Sequence, residues 1–418
     1  RHVDFPLSML GVRRSMHRPY LQSRLWPRVG ALSAILGLLG CSVVGKDLDG
    51  YFSGNTAGAS GAAGSSGSGG SAGSAGSGAT GATGATGGTG GGGGIAGSAG
   101  SAGCGSRHPP ARPSVQDSGS GAPTSIWVLK DIIIDQPDPA WKDIGYDLDG
   151  LCTEPPDNAV ECLAENASGP ARDGNAGVDN AFGATVIPLL KAADVTIQQS
   201  AQSNQNEGQS AIVVHVDGWN GQDDDPSVQV WMAETAYAIP EGSTDPGLPN
   251  WDGTDSFYVP DAAFNNGDVN SPIIGNDNAY IAGRTLVMRL PDRSAFPFQT
   301  SDGQVFLKLT DATLTGQISA DGTSMSNVIL AGRWAGQDVL DTLVYINICP
   351  NSLEYGLVQN LLQNSADIRA TKGTGGPGAI CDAVSIGIQL TGYPGKFGGL
   401  IPSQPLVNPC AGAGGSGN

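Results

Sequence analysis

Between Gly54 and Gly105 the chain is almost wholly glycine, alanine, serine and threonine. These residues bury too little apolar surface to offset the entropy of ordering their backbone, so the stretch cannot build a core. The fold must therefore be sought on the long C-terminal side. Gly-Ala-Thr triplets from Gly78 to Thr86 put glycine at every third position as in collagen, but they lack proline and the register is soon lost. A coil is the better reading, and ~50 such residues span ~40 Å root-mean-square. Pro109, Pro110, Pro113 and Pro123 then stiffen the run. Residues 41–123 are expected to be a disordered linker, 124–410 a globular body and 411–418 a disordered tail.

Upstream of the linker, Val29 to Leu39 is an uncharged apolar run preceded by Arg18, Arg24 and Arg28. It has the length of a signal-peptide core and is too short to span a bilayer as a helix. A start at Met16 would give a normal basic leader, so residues 1–15 are set aside from fold reasoning. The run closes on Leu38-Leu39-Gly40-Cys41, which resembles the lipobox of bacterial lipoproteins. The resemblance implies cleavage before Cys41 and acylation of its thiol. Ser42, where an aspartate would favour inner-membrane retention, implies the outer membrane of a Gram-negative envelope.

Removing the six basic residues and one acidic residue before Cys41 from totals of 21 and 39 leaves 15 and 38, a net charge of −23. Such a surface repels nucleic acid and anionic lipid, which excludes nucleic-acid binding, and it suits divalent cations. Six further cysteines remain in an exported chain, where disulfides are allowed. Cys152 and Cys162 flank a short polar loop and are the first pair to expect. Cys349 and Cys381 could close the segment between them, while Cys104 and Cys410 pair or stay free.

Strand signals run over Ile126–Ile134, Ser210–Asp217, Val228–Tyr237, Tyr280–Leu290, Gln304–Ile318, Asn327–Trp334 and Val384–Leu390. In Ser210–Asp217, Ile212, Val214 and Val216 share one face, and the turn-rich stretch to Pro226 makes a hairpin. Helical spacing is confined to Phe182/Val186/Leu190, with Asp179-Asn180 as caps and Pro188 as a kink, to Val339–Ile346 and to Leu353–Leu362. Short strands with few helices predict a mainly β antiparallel sandwich, jelly-roll-like in one form. Gly145-Tyr-Asp-Leu-Asp-Gly-Leu-Cys152, Gly177-Val-Asp-Asn-Ala-Phe-Gly183, Ala331-Gly-Arg-Trp334 and Cys381 to Gly387 are similar to segments of uncharacterised myxobacterial lipoproteins. That resemblance covers most of residues 126–400 and implies no particular activity.

The acidic residues Asp143, Asp147, Asp149-Gly150, Asp173-Gly174 and Asp179-Asn180 are the best candidate for chemistry. Calcium takes six to eight oxygens, and Asp or Asn at alternate positions before glycine lets a loop wrap one ion. Asp147-x-Asp149-Gly150 is only a fragment of an EF-hand loop, since no closing glutamate follows. The expected ligands are Asp147, Asp149, Asp173, Asp179 and Asn180. A second cluster, Asp223-Asp224-Asp225 with Asp217 nearby, is weaker, because aspartates in turns commonly serve the backbone. His215 is the one histidine of the expected body, and no Gly-x-Ser-x-Gly elbow accompanies it. Gly373 to Gly378 matches GxGxxG by letter but leads into a strand, so it is read as a loop.

Glu234 with Asp217 or Asp225 could supply a glycosidase or lyase pair, with Trp219, expected to be exposed, stacking a sugar. Trp231 and Trp334 are expected in the core. The reading that follows is a lipid-anchored envelope protein displaying a structural, adhesive or ligand-binding module. Calcium would be its cofactor, and the membrane, a polysaccharide or an envelope protein its partner. A carbohydrate-active enzyme is the alternative.

Overall fold

The computed structural model of the chain describes residues 105–412 apart from 116–118, 120–123, 155–156, 168, 193–196, 237–246, 301–302, 404–405 and 407. The signal run, Cys41, Cys104 and the Gly/Ala/Ser stretch lie outside the described residues. The strands are β1 (Ser125–Ile133), β2 (Thr153–Glu154), β3 (Asp157–Asn158), β4 (Gln209–Asp217), β5 (Asp225–Ala236), β6 (Ser256–Pro260) and β7 (Gly275–Ala282). They continue as β8 (Thr285–Arg289), β9 (Ser294–Thr300), β10 (Gly303–Ile318), β11 (Met325–Ala335), β12 (Ala383–Pro394) and β13 (Lys396–Ile401).

Mainly β architecture is present, but the expected sandwich is replaced by a closed barrel. Eight antiparallel strands follow one another as β5-β4-β1-β12-β11-β10-β8-β7, and β7 pairs back onto β5. Alternation along a strand is the same in a sandwich and a barrel. Only the β5–β7 seam decides between them, and its pairing has no local signature in the sequence. Tyr280–Leu290 is not one strand either. Gly283 (φ 53°) and Arg284 (φ 62°) make a two-residue turn between β7 and β8, the left-handed pair that tight hairpins require.

Side chains fill the barrel. Trp127 and Leu129 of β1, Ile212, Val214 and Val216 of β4, Val230 and Met232 of β5, and Leu286 and Met288 of β8 share one buried cluster with β10, β11 and β12. Helices add Phe182, Val186, Val339, Leu340 and Leu362 to it. They are a π turn (Phe182–Val186) leading into α1 (Ile187–Ala192), then α2 (Ile197–Asn206), α3 (Gly336–Thr342) and α4 (Leu353–Ser365). The three expected helices are therefore present and α2 is additional. Its buried positions are Ala201 and Gln205, so no apolar stripe announces it. Gln198 and Gln205 instead hydrogen-bond the backbone of Ile132, Ile134 and Asp135 at the end of β1 and just past it.

Outside the barrel, Phe257 and Val259 of β6, Phe397 and Leu400 of the parallel β13, and Phe264 just after β6 cover Val128, Val213, Trp231 and Ala233. A third cluster seats Ile144, Tyr146 and Leu148 on Ile329 and Ala331 of β11 and Ala383 of β12.

One boundary changes. Residues 105–112, expected as linker, lie on the body: the Arg107 N–H donates to Ala176 O (2.8 Å) and the Asp147 N–H to Arg107 O (2.9 Å). Disulfide pairing also differs. Cys162 bonds Cys381 and Cys349 bonds Cys410, while Cys152 is disulfide-bonded elsewhere. All four expected cysteines are bridged, but proximity in sequence misled the pairing. Cys162 and Cys381 are brought together by a parallel bridge, Leu163 to Ile380.

Candidate metal centre

Alternation in Ile144-Gly145-Tyr146-Asp147-Leu148-Asp149 builds the first half of the site. Its apolar members press on the barrel wall, which leaves Asp147 and Asp149 on the alternate positions. The second half is the loop Asp173–Asn180, tied to the first by Asp179 N–H to Tyr146 O (3.0 Å). One oxygen each of Asp147, Asp149 and Asp179 lies within 4.8 Å of the others. Calcium–oxygen distances of about 2.3–2.6 Å put opposite ligands of one ion about 5 Å apart. The triplet fits that span, and hard carboxylate oxygens are the donors calcium takes.

Backbone amides hold the carboxylates. Asp179 Oδ2 accepts from the N–H of Leu148 (2.6 Å), Asp147 Oδ1 from Gly150 (2.6 Å) and Asp149 Oδ1 from Leu151 (2.8 Å). The Ser106 hydroxyl donates to the other oxygen of Asp147. Asp147 and Asp179 are buried, with 6% and 4% exposure.

Burial is the first cause of raised carboxyl pKa values here, and mutual repulsion adds to it. Asp149 is pushed up to about 6, with Asp147 and Glu161 opposing its charge. Asp173 rises to about 7 beside Asp149, Asp367 and Asp147. Asp367 also rises to about 7, although Ser385 hydrogen bonds pull it down. Asp179 is held well above the ordinary range by burial and by Asp149 and Asp173. An isolated buried carboxylate protonates sooner than stay charged. A divalent cation held by Asp147, Asp149 and Asp179 would favour the charged form of its own ligands and so oppose the rise at Asp149 and Asp179.

Arg333 of β11 is the cation that partly offsets the rise at Asp149. Fully buried, it donates to Glu161 (2.7 Å), to Arg369 O (2.8 Å) and to Leu148 O (2.7 Å). It thereby pins the loop between Asp147 and Asp149. The Gly373–Gly378 loop braces Glu161 through Gly376 N–H to Glu161 O (2.8 Å), which agrees with its reading as a loop.

Of the five expected ligands, three converge. Asp173 accepts from Thr153 N–H (2.6 Å) and stands outside the triplet as a neighbouring charge. Asn180 is corrected outright. Its Oδ1 accepts from Gly183 and Gly387 (both 3.0 Å), and its amide donates to Gln136 (2.7 Å) and Ile144 O (2.8 Å). With the oxygen occupied by two N–H donors, it caps the helix and joins it to β12. Asp367, Arg333, Glu161 and Ser106 were not expected. Asp367, Arg333 and Ser106 are remote in sequence from the acidic loops, and Glu161, which lies between those loops, belongs to no Asp/Asn-Gly pattern, so no spacing points to any of the four.

The other candidates resolve into structure. Asp223 pairs with Arg284 (3.2 Å), Asp224 accepts from Gly283 N–H (2.8 Å) and Asp225 from Asn220 and Ser227 N–H. His215 stacks on Trp231 with ring centroids 4.6 Å apart, and burial lowers its pKa. Trp219 is 4% exposed, not a surface platform, because it packs on Trp127 at one end of the barrel. Trp231 and Trp334 are buried as expected. Glu234 sits opposite Ile212, whereas Asp217 sits opposite Gln229. Five residues of strand separate them, about 17 Å, well beyond the roughly 5–10 Å of a glycosidase pair. No family model, no curated protein and no solved structure matches the chain.

Proposed function

We propose that this protein is a lipid-anchored, non-enzymatic module of the cell envelope, with a barrel ordered by a calcium ion bound to Asp147, Asp149 and Asp179. The convergence of these three oxygens within 4.8 Å carries the reading. Calcium supplies the charge that the buried carboxylates otherwise lack, and so holds the loops 143–151 and 173–180 against β11 and β12. The outer membrane, reached through acylated Cys41, is the site of display, and a polysaccharide or another envelope protein is the partner class. Disulfides at Cys162–Cys381 and Cys349–Cys410 accord with an oxidising compartment. The carbohydrate-active alternative has less support, because Asp217 lies opposite Gln229 and Asp225 stands nine residues before Glu234 on β5.

Calorimetric titration with calcium tests the cofactor. One site per chain is expected, with no heat in Asp149→Asn, and silence in the wild type rejects calcium. Cys41→Ser tests the anchor: the variant should leave the membrane fraction, and unchanged fractionation rejects acylation there.

A further inference from the structure

We propose that residues 105–112 form a strap that staples the seam at which the barrel closes and joins it to the acidic loops. The strap's first contacts are all on those loops. Arg107 bonds the backbone of Asp147 and Ala176, its guanidinium donates to Asp143 O and lies over the Tyr146 ring, and Ser106 donates to Asp147.

The far end lies on the seam. Arg112 donates to the carbonyl oxygens of Pro226 on β5 and Asn278 on β7. Its guanidinium sits 4.5 Å from the centroid of the Tyr280 ring, and the Tyr280 hydroxyl donates to Pro110 O (2.6 Å). This is where a staple has an effect. The β5–β7 register slips between Asp225 and Val228 and again between Val228 and Val230. A slipped ladder leaves backbone acceptors without their strand partners. The two donor arms of one guanidinium reach an acceptor on each side, and Pro109 and Pro110 limit the freedom of the chain between the two anchor points.

Hydrogen exchange on the full chain in EDTA tests the staple. Arg112→Ala should speed exchange of the β5 and β7 amides at the seam at least five-fold and leave β11 and β12 unchanged. Trypsin should cut Arg107–His108 in the wild type at least ten-fold more slowly than in a free peptide of residues 104–113, and the variant should lose part of that protection. Arg112→Lys, which keeps the charge but not the fork, should fall between. Unchanged seam exchange in Arg112→Ala, or peptide-like cutting of the wild type, overturns the strap.

The link to the acidic loops rests on the calcium reading and is tested separately. Calcium should slow seam exchange in the wild type but not in Arg112→Ala. Calcium binding that leaves the seam unmoved overturns the link alone. Absence of calcium binding removes both the calcium reading and the link, and the staple is still judged by the EDTA result.

Discussion

On the β1–β4–β5 side, the barrel wall is covered by an apolar layer in which Phe257 and Val259 are fully buried. On the β11–β12 side it is covered by loops that bury Ile144, Tyr146 and Leu148 and carry Asp147, Asp149 and Asp179 among them. Both coverings shield a strand face from water, so shielding alone does not call for carboxylates. The apolar layer obtains its stability from transfer of hydrocarbon out of water. The acidic layer retains buried like charges that work against it. A site that is costly to fold and unnecessary for coverage is where function is to be sought.

Three kinds of change separate the two coverings. The largest effect is expected from the apolar side: Phe257→Ala should cost about 3–5 kcal/mol, equally in EDTA and in calcium by denaturant titration. A calcium-dependent cost would break the comparison. Arg333→Met leaves Glu161 buried without its partner and should cost about 3 kcal/mol. It should also loosen Leu148, and the loss of calcium affinity would be seen by titration calorimetry. Asp179→Asn runs the other way. It replaces a carboxyl whose ionised form is opposed by burial and by Asp149 and Asp173, so the melting temperature in EDTA should not fall while the response to calcium disappears.

The pH dependence in EDTA reads the same carboxyls together. Asp149, Asp173 and Asp367 have folded pKa values of about 6, 7 and 7 against 3.8. Between these limits the folded state binds more protons than the unfolded state, so stability falls as pH rises from about 4 to 7. They face one another and Asp147, Asp179 and Glu161, with Arg333 as the opposing cation at Asp149. Melting temperature in EDTA should therefore decline over that window, and calcium should flatten the decline. A rise across the window would contradict the electrostatics described above.

Strand positions were legible wherever alternation was strong, as in Ile212, Val214 and Val216. They were not legible in β6, β9 and β13. Barrel closure was hidden because it depends on β5 meeting β7, a contact between distant segments. The helix α2 was hidden because its buried face is built from Gln205 and Ala201. Within the site, Asp147 and Asp149 could be read because they stand at alternate positions before a glycine. Asn180 was misread because a ligand and a cap have the same residue type. Arg333, Asp367 and Ser106 come to the site through tertiary packing alone, and nothing local marks them.

The most direct test is a pair of thermal melts, in EDTA and in millimolar calcium, on the wild type and on Asp149→Asn. A ligand at a hundred times its dissociation constant adds about 2.7 kcal/mol. The wild type should accordingly melt several degrees higher in calcium and the variant at one temperature in both. Identical wild-type melts would mean that Asp147, Asp149 and Asp179 order their loops through the backbone amides alone, and the calcium account would fall.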